Sequence, residues 1–284
     1  RSWIVNDGEI PEIYDFLLGV EGIMRWPSLP EETWEAVVAL DLGKWSRMGK
    51  VSQVISRDRH FIIDIDHHSS NKGCGHVSLI DPNISSTGEL LLEFIKWAGL
   101  PVDRETALLL YVAIVTDTGR FSFDNTNAST HRNVAYLIDR GVDPQYVSNK
   151  VYRRQTMPQI RLYLRALSGM KKNKSGDIYW MVLRLRDFEE TGTDAIDSQE
   201  FVETARSMKG AKFGLLFREM ERGKKVKVSL RSNIDCDLNE FASGFGGGGH
   251  AAAAGITMHL SVEKAIETVL PALEAELSSP RDSR

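Results

Sequence analysis

Apolar residues in the first half of the chain gather in short continuous runs, separated by longer segments of helical spacing. AVVALD (36–41) and HFIIDID (60–66) are such runs, and each ends at or just beside an aspartate. Continuous apolar character predicts strands buried on both faces of a parallel sheet. SSTGELLLEFIKWAG (85–99) opens on Ser/Thr caps and a Glu, keeps apolar residues at helical spacing and stops at a glycine, which predicts a helix. RETALLLYVAIVTDTG (104–119) is apolar nearly all round and predicts a buried helix. THRNVAYLIDRG (130–141) predicts another, ended by Gly141.

The texture changes near residue 151. VYRRQTMPQIRLYLRALSGMKKNKSGD (151–177) is a basic, amphipathic connector running into a polar loop. Beyond it, DIYWMVLRL (177–185), AKFGLLFREM (211–220) and KVKVSLRS (225–232) predict strands of a second sheet, with a hairpin turn at ERGKK (221–225). Helices are expected at 201–208 and 261–277, the latter kinked or reset by Pro271. The expected fold class is therefore α/β. A parallel-sheet domain spans 1–150, a linker helix 151–172 and a smaller α/β domain with a mixed sheet 173–284, with a cleft between the two domains. Residues 2–6 (SWIVN) read as the middle of a strand, and the chain opens on Arg1 rather than Met. The expectation is that the sequence begins inside a domain.

Composition narrows the function classes. The 284 residues carry a net charge of −4, so the chain lacks the overall basic field of a long-duplex binder. A small anionic substrate in a local basic pocket remains compatible with it. No apolar run reaches the roughly 20 residues needed to span a bilayer, and no signal peptide opens the sequence. The two cysteines, Cys74 and Cys236, have no CxxC spacing, which fits free thiols in a reducing cytoplasm.

Candidate chemistry sits at the ends of the first strands, where open parallel sheets gather their ligands. Asp41 ends one strand; Asp64, Asp66, His67 and His68 end the next; Asp117 lies where an apolar helix gives way to a loop. A carboxylate left at such a point is costly unless paired or bound to a cation. Carboxylate oxygens mixed with imidazole nitrogen suit Mn²⁺ or Mg²⁺ better than a structural zinc site. Taken singly, each is equally a turn, cap or surface residue. A second constellation is GFGGGGHAAAAG (244–255). Its glycines let backbone N–H groups approach an anion, and His250 adds a donor beside them. A flexible linker is the competing reading. Arg231 and Ser232 end the strand SLRS, where a guanidinium could fork onto a phosphate; an exposed strand-end Arg without a ligand fits equally.

DHH at 66–68, VALDLGKWSRMG at 38–49, TDTGRFSF at 116–123 and GGGGH at 246–250 resemble, in order, the DHH/DHHA1 phosphoesterase family. The chain looks most like its stand-alone nanoRNase (oligoribonuclease)/pAp-phosphatase branch. The resemblance implies that Asp41, His67 and Asp117 are metal ligands and that His68 faces the phosphate as the catalytic neighbour. Asp66 and Arg120 would support them. Arg231, Ser232, Gly247, Gly248, Gly249 and His250 would form the substrate-binding face of the second domain. It further implies a two-ion Mn²⁺ centre, with Mg²⁺ or Co²⁺ as alternatives. The reaction would yield 5′-mononucleotides from short RNA or DNA oligonucleotides, or AMP and phosphate from pAp. No long duplex and no membrane are expected as partners, and the family analogy points to a homodimer. Two alternatives stand beside this: a cyclic or linear dinucleotide phosphodiesterase, and a nucleotide-binding module with an incomplete metal site. The second arises because the family's earlier HxxxDxD motif has no counterpart before Asp41, and Asp7 lies on what matches the next strand. The expectation is an N-terminal segment beyond this sequence that supplies it.

Overall fold

The computed structural model describes residues 2–28 and 34–278; Arg1 and the end of the expected second domain, 279–284, lie outside the described residues. It divides into two compact units, Arg1–Arg154 and Gln155–Arg284.

In the first unit, β1 (Val5–Asn6) pairs in parallel with β2 (Met24–Arg25). A three-stranded parallel sheet follows, made of β3 (Ala36–Leu40), β4 (Phe61–Asp66) and β5 (Val77–Ile80) in that spatial order. A 3-10 stretch, Trp45–Gln53, lies between β3 and β4. Helices α1 (Thr87–Trp97), α2 (Arg104–Asp117), α3 (Ala128–Asp139) and α4 (Pro144–Val151) complete the unit. Side chains cap the start of each: Ser86 for α1, Asp103 for α2, Asn127 for α3 and Asp143 for α4. Leu92, Leu110, Ile114, Val134, Leu137 and Val147 form the helical core. Gly88 lets α1 and α2 meet, since a Cβ there would lie 2.6 Å from the Ala113 methyl.

The expectation of strands buried on both faces is corrected here. Successive side chains of a strand point to opposite faces, and only one face of this sheet is covered among the described residues. Ala39, Ile62, Asp64 and Asp66 are buried, whereas Val38, Leu40, Phe61, Val77 and Leu79 are exposed. The carboxylates of Asp64 and Asp66 share the covered face with Ala39 and Ile62, while five large apolar side chains lie on the open one.

The second unit begins with α5 (Met157–Ser168), whose Leu162 and Ala166 belong to its core. Then come β6 (Lys171–Lys172), β7 (Ile178–Leu183), α6 (Leu185–Thr191) and α7 (Phe201–Arg206). The hairpin of β8 (Phe213–Glu221) and β9 (Lys225–Ser232) turns through Gly223 at φ +67°. It is followed by α8 (Leu238–Ser243), β10 (Gly248–His250), β11 (Ala253–Met258) and α9 (Val262–Ser278). Pro271 lies inside α9 and does not interrupt it. The sheet order is β10-β11-β9-β8-β7-β6, mixed because only β7 and β8 run parallel. One face packs Phe213, Leu215, Phe217, Val228 and Ile256 against α8 and α9. The other packs Met181, Leu183 and Leu216 against α5, α6 and α7.

Candidate metal centre

Three chain segments deliver the centre. β3 stops at Leu40, and Asp41 takes a left-handed φ of 59°, which aspartate tolerates better than most residues. Its backbone N–H still donates to the Ile65 carbonyl at 3.0 Å, so it remains pinned to the end of β4. β4 itself runs out into His67 and His68, and α2 ends at Asp117. His67 Nε2 lies 3.2 Å from Asp117 Oδ2 and 3.7 Å from Asp41 Oδ1. Asp41, His67 and His68 each place one ligand-type atom within 4.8 Å of the others.

Buried polar atoms are normally hydrogen-bonded, yet His67 Nε2 and Asp117 Oδ2 are buried and have no hydrogen-bond partner. Burial raises the Asp117 carboxyl above its ordinary range; His67 pulls it down, Asp41 pushes it up, and burial prevails. Two facing carboxylates, an imidazole nitrogen and unsatisfied acceptors form a donor set that fits a hard divalent cation such as Mn²⁺ or Mg²⁺.

His68 has a different environment. Its Nδ1 lies 2.6 Å from Asp66 Oδ1, and its Nε2 lies 3.3 Å from Arg47 Nη1. A guanidinium can only donate, so Nε2 is the acceptor and the proton resides on Nδ1, facing Asp66. Asp66 is fully buried and also accepts from the backbone N–H groups of His68 and Gly43 and from the Asn71 amide. Burial pushes its carboxyl up, but these donors outweigh it and hold it down at about 2. Asn71 also donates to Asp64, whose Oδ2 takes the Cys74 N–H as well. Burial, and then the Asp64 carboxylate beside the sulfur, raise the Cys74 thiol to about 11, an unreactive thiol.

Beyond these residues lie groups that sequence reading did not single out: Arg47, Asn71, Thr87 and Glu89. Arg47 falls inside the motif stretch 38–49, while Thr87 and Glu89 fall inside the predicted helix 85–99, where they read as ordinary helix-start residues. Thr87 Oγ1 donates to Asp41 Oδ1 at 2.7 Å. Fully buried Glu89 accepts from Ser85, Ser129, Thr130 and Asn133, tying the start of α1 to the start of α3. Asn125 donates to the carbonyls of both Ser85 and Asp117. Thr87→Val keeps the shape but removes the donor to Asp41. It is expected to weaken Mn²⁺ binding about tenfold, the low end of the cost of losing a partner that orients a metal ligand. Titration of the chelator-treated protein followed by the paramagnetic signal of free Mn²⁺ measures this.

The other anticipated residues fall as follows. The Arg120 guanidinium lies 4.6 Å from the centre of the Tyr152 ring. Asp7 accepts from the Lys50 N–H. In the second unit, cross-strand register puts Arg231, Ala253 and His250 in one row across β9, β11 and β10. Arg231 Nε donates to Glu203 Oε1 at 2.6 Å. Ser232 is buried and its hydroxyl donates to the Ile234 carbonyl, closing a turn. The glycine run does not stay a loop throughout: Gly248–His250 is an edge strand. A Cβ at Gly247 would come within 2.3 Å of the Gly255 carbonyl oxygen, and one at Gly249 within 2.4 Å of that of Ala253, so these glycines permit the backbones to close up.

Residues 177–279 match the DHHA1 domain model. Over 243 residues the chain is 32% identical to the bifunctional oligoribonuclease and PAP phosphatase NrnA of Thermus thermophilus, an alignment covering 85% of this chain and 71% of that protein. The chain belongs to the DHH/DHHA1 phosphoesterase family. NrnA of Bacillus subtilis is 25% identical over 202 residues, 70% of this chain and 63% of the relative. A crystal structure of an exopolyphosphatase-related protein from Bacteroides fragilis superposes with a TM-score of 0.89 at 26% identity, covering 96% of this chain and 82% of that one. The DHH triplet of this family member is therefore Asp66, His67 and His68, and its GGGGH segment is 246–250.

Proposed function

We propose that the protein is a metal-dependent phosphoesterase that hydrolyses short oligonucleotides to 5′-mononucleotides, pAp to AMP and phosphate, or both. The observation that carries this reading is the meeting of Asp41, His67 and Asp117, with two buried ligand-type atoms left without hydrogen bonds. Relatives named oligoribonuclease and PAP phosphatase supply the substrate class. Mn²⁺ is the ion proposed, held by Asp41, His67 and Asp117. The chemistry such an ion supplies when bound is Lewis-acid stabilisation of charge on phosphoryl oxygens and activation of water.

The remaining work falls to the chain itself. Asp66 fixes the His68 ring and keeps its proton on Nδ1, so His68 can exchange a proton with substrate only through Nε2. That atom is engaged by Arg47, so it acts when the guanidinium shifts away. An arriving phosphate supplies the reason for the shift, because it offers Arg47 a charged acceptor in place of a neutral imidazole. In the second unit we assign Arg231 and the Gly247–His250 segment to nucleotide binding. Among the described residues no helix is long and apolar enough to cross a membrane. Both cysteines are free, which supports a cytoplasmic location.

A second reading, a nucleotide-binding module with an incomplete metal site, draws on one observation. Among the described residues the only metal-type cluster is Asp41, His67 and His68, with Asp117 beside it. The deciding experiment is product analysis of this chain incubated with Mn²⁺, pAp and a diribonucleotide. AMP, phosphate or mononucleotide is expected, and chelator abolishes it. Nucleotide binding without turnover at saturating Mn²⁺ would establish the binding module instead.

A further inference from the structure

The second sheet carries a set of cations that the metal centre does not use. Residues paired across antiparallel strands share a face, as do residues two apart along one strand. By register, Arg218 of β8 lies opposite Lys227 of β9, and Lys227 lies opposite Thr257 of β11. The next row is Leu216, Ser229, Gly255 and Gly248; the row after it is Gly214, Arg231, Ala253 and His250. Helices α5 to α7 cover this face over β7 and β8, burying Arg218 and Leu216. Over β9 to β10 it opens: Lys227, Thr257 and His250 are exposed, and Ala253, Gly255, Gly248 and Arg231 are partly so.

Like charges directly opposite one another in a sheet are destabilising, and here one of the pair is buried. Arg218 is 4% exposed, its Nε has no hydrogen-bond partner, and it forms no ion pair among the described residues. Its Nη1 donates to the Ala195 carbonyl and its Nη2 to Ser229 Oγ at 3.4 Å. Burial and the nearby Arg231 both lower its hold on the proton. A buried charge of this kind is normally paired. Ser229 Oγ accepts from Arg218, so its own O–H is left to donate onto the shelf. A Cβ at Gly255 would meet nothing nearer than the Val228 oxygen at 3.7 Å, so the surface dips there with room for a ligand.

We propose that Arg218, Lys227, Ser229, Gly255 and Thr257 form a second anion subsite, which takes an internucleotide phosphate of a substrate longer than one nucleotide. Ser229 and Lys227 lie two and four residues from Arg231 along β9, roughly 7 and 13 Å at strand rise. A strand gripped at Arg231 and His250 therefore passes its following phosphates over the Ser229 row and then the Lys227 row. Lys227 and Thr257 contact the anion directly. Arg218 acts from the helix-covered end of the same face, through the Ser229 hydroxyl. The subsite rests on the phosphoesterase reading for the identity of its ligand, and on the unpaired buried guanidinium for its existence.

The test measures binding without turnover. In EDTA, dissociation constants are determined for 5′-phosphorylated adenosine mono-, di- and trinucleotides, with wild type, Lys227→Ala and Gly255→Val. Wild-type affinity is expected to rise with length. Each variant should lose about five- to tenfold on the trinucleotide and less than twofold on the mononucleotide. For Lys227→Ala the salt dependence of trinucleotide binding should flatten by roughly 0.7 in log–log slope, one phosphate contact on a single strand. Equal losses on all three probes, or wild-type affinity that does not change with length, would overturn the subsite. Failure of the phosphoesterase reading appears elsewhere, as absent turnover with Mn²⁺ while length-dependent binding in EDTA persists.

Discussion

His67→Ala is expected to lower Mn²⁺-dependent product release by a factor on the order of 10³ or more, the scale of losing a preorganised charge-stabilising group. The imidazole supplies the only nitrogen among Asp41, His67 and Asp117. Without it, the ring nitrogen that lies within 4 Å of both carboxylates is gone, and a bound ion would lose its link through His67 to the end of β4. Asp41→Ala should act alike, because Asp41 lies 3.7 Å from the same nitrogen and is fixed by Thr87. Neither side chain belongs to the apolar clusters of the unit, so unfolding temperature should change little. Chromatography of products beside a thermal melt separates the two effects. More than a tenth of wild-type turnover in His67→Ala would remove His67 from the ligand set.

The second large effect concerns stability. Glu89→Leu is expected to destabilise the first unit by about 3–5 kcal/mol, the scale of leaving several buried hydrogen-bond donors without an acceptor at about 1–3 kcal/mol each. The loss leaves Ser85, Ser129, Thr130 and Asn133 without their common acceptor. Glu89→Gln keeps the volume and should lose less. The network also fixes an acid response. Burial pushes the Glu89 carboxyl up, but donors from Ser85, Asn133, Ser129 and Thr130 prevail and hold it below its ordinary value of 4.5. A depressed carboxyl stabilises the folded state fully above its unfolded value and loses that contribution as pH falls through the folded one. Protection of α1 and α3 amides from hydrogen exchange should therefore decline below about pH 4.5 in wild type. In Glu89→Gln the decline should be shallower. An identical pH profile in both proteins would show that Glu89 does not govern it.

Much of this was legible in the sequence because it followed from periodicity. The runs at 36–41 and 60–66, the helices at 85–99, 104–119 and 130–141, and the hairpin around Gly223 all stand where apolar spacing and capping residues put them. β5 escaped notice because VSLI is only four residues long and follows a glycine-rich turn. The open face of the first sheet was misread because a continuous apolar run does not record whether anything packs on each side. Asp41, His67 and Asp117 could be nominated as ends of elements, but their meeting depends on the parallel register of β3 and β4 and on where α2 stops. Glu89 looked like an ordinary helix-start acid, and only the approach of α3 makes it a buried hub. Arg218 was invisible for a related reason: nothing in KFGLLFREM says which strand lies opposite or that no carboxylate comes with it.

The turn after Asp117 has a bearing on protein engineering. Gly119, Arg120 and Phe121 take φ values of 53°, 61° and 64°, a left-handed run in which only the first residue is glycine. Each non-glycine residue there costs of order 1 kcal/mol relative to an ordinary conformation. A library screened for heat resistance would therefore be drawn to glycine or asparagine at 120 and 121, where that cost is relieved. The same substitutions would unclamp the guanidinium from Tyr152 or the ring from His131 and leave the adjoining carboxylate freer to wander. Selection for stability alone would then collect variants that last longer and turn over more slowly, a trade-off written into three consecutive backbone angles.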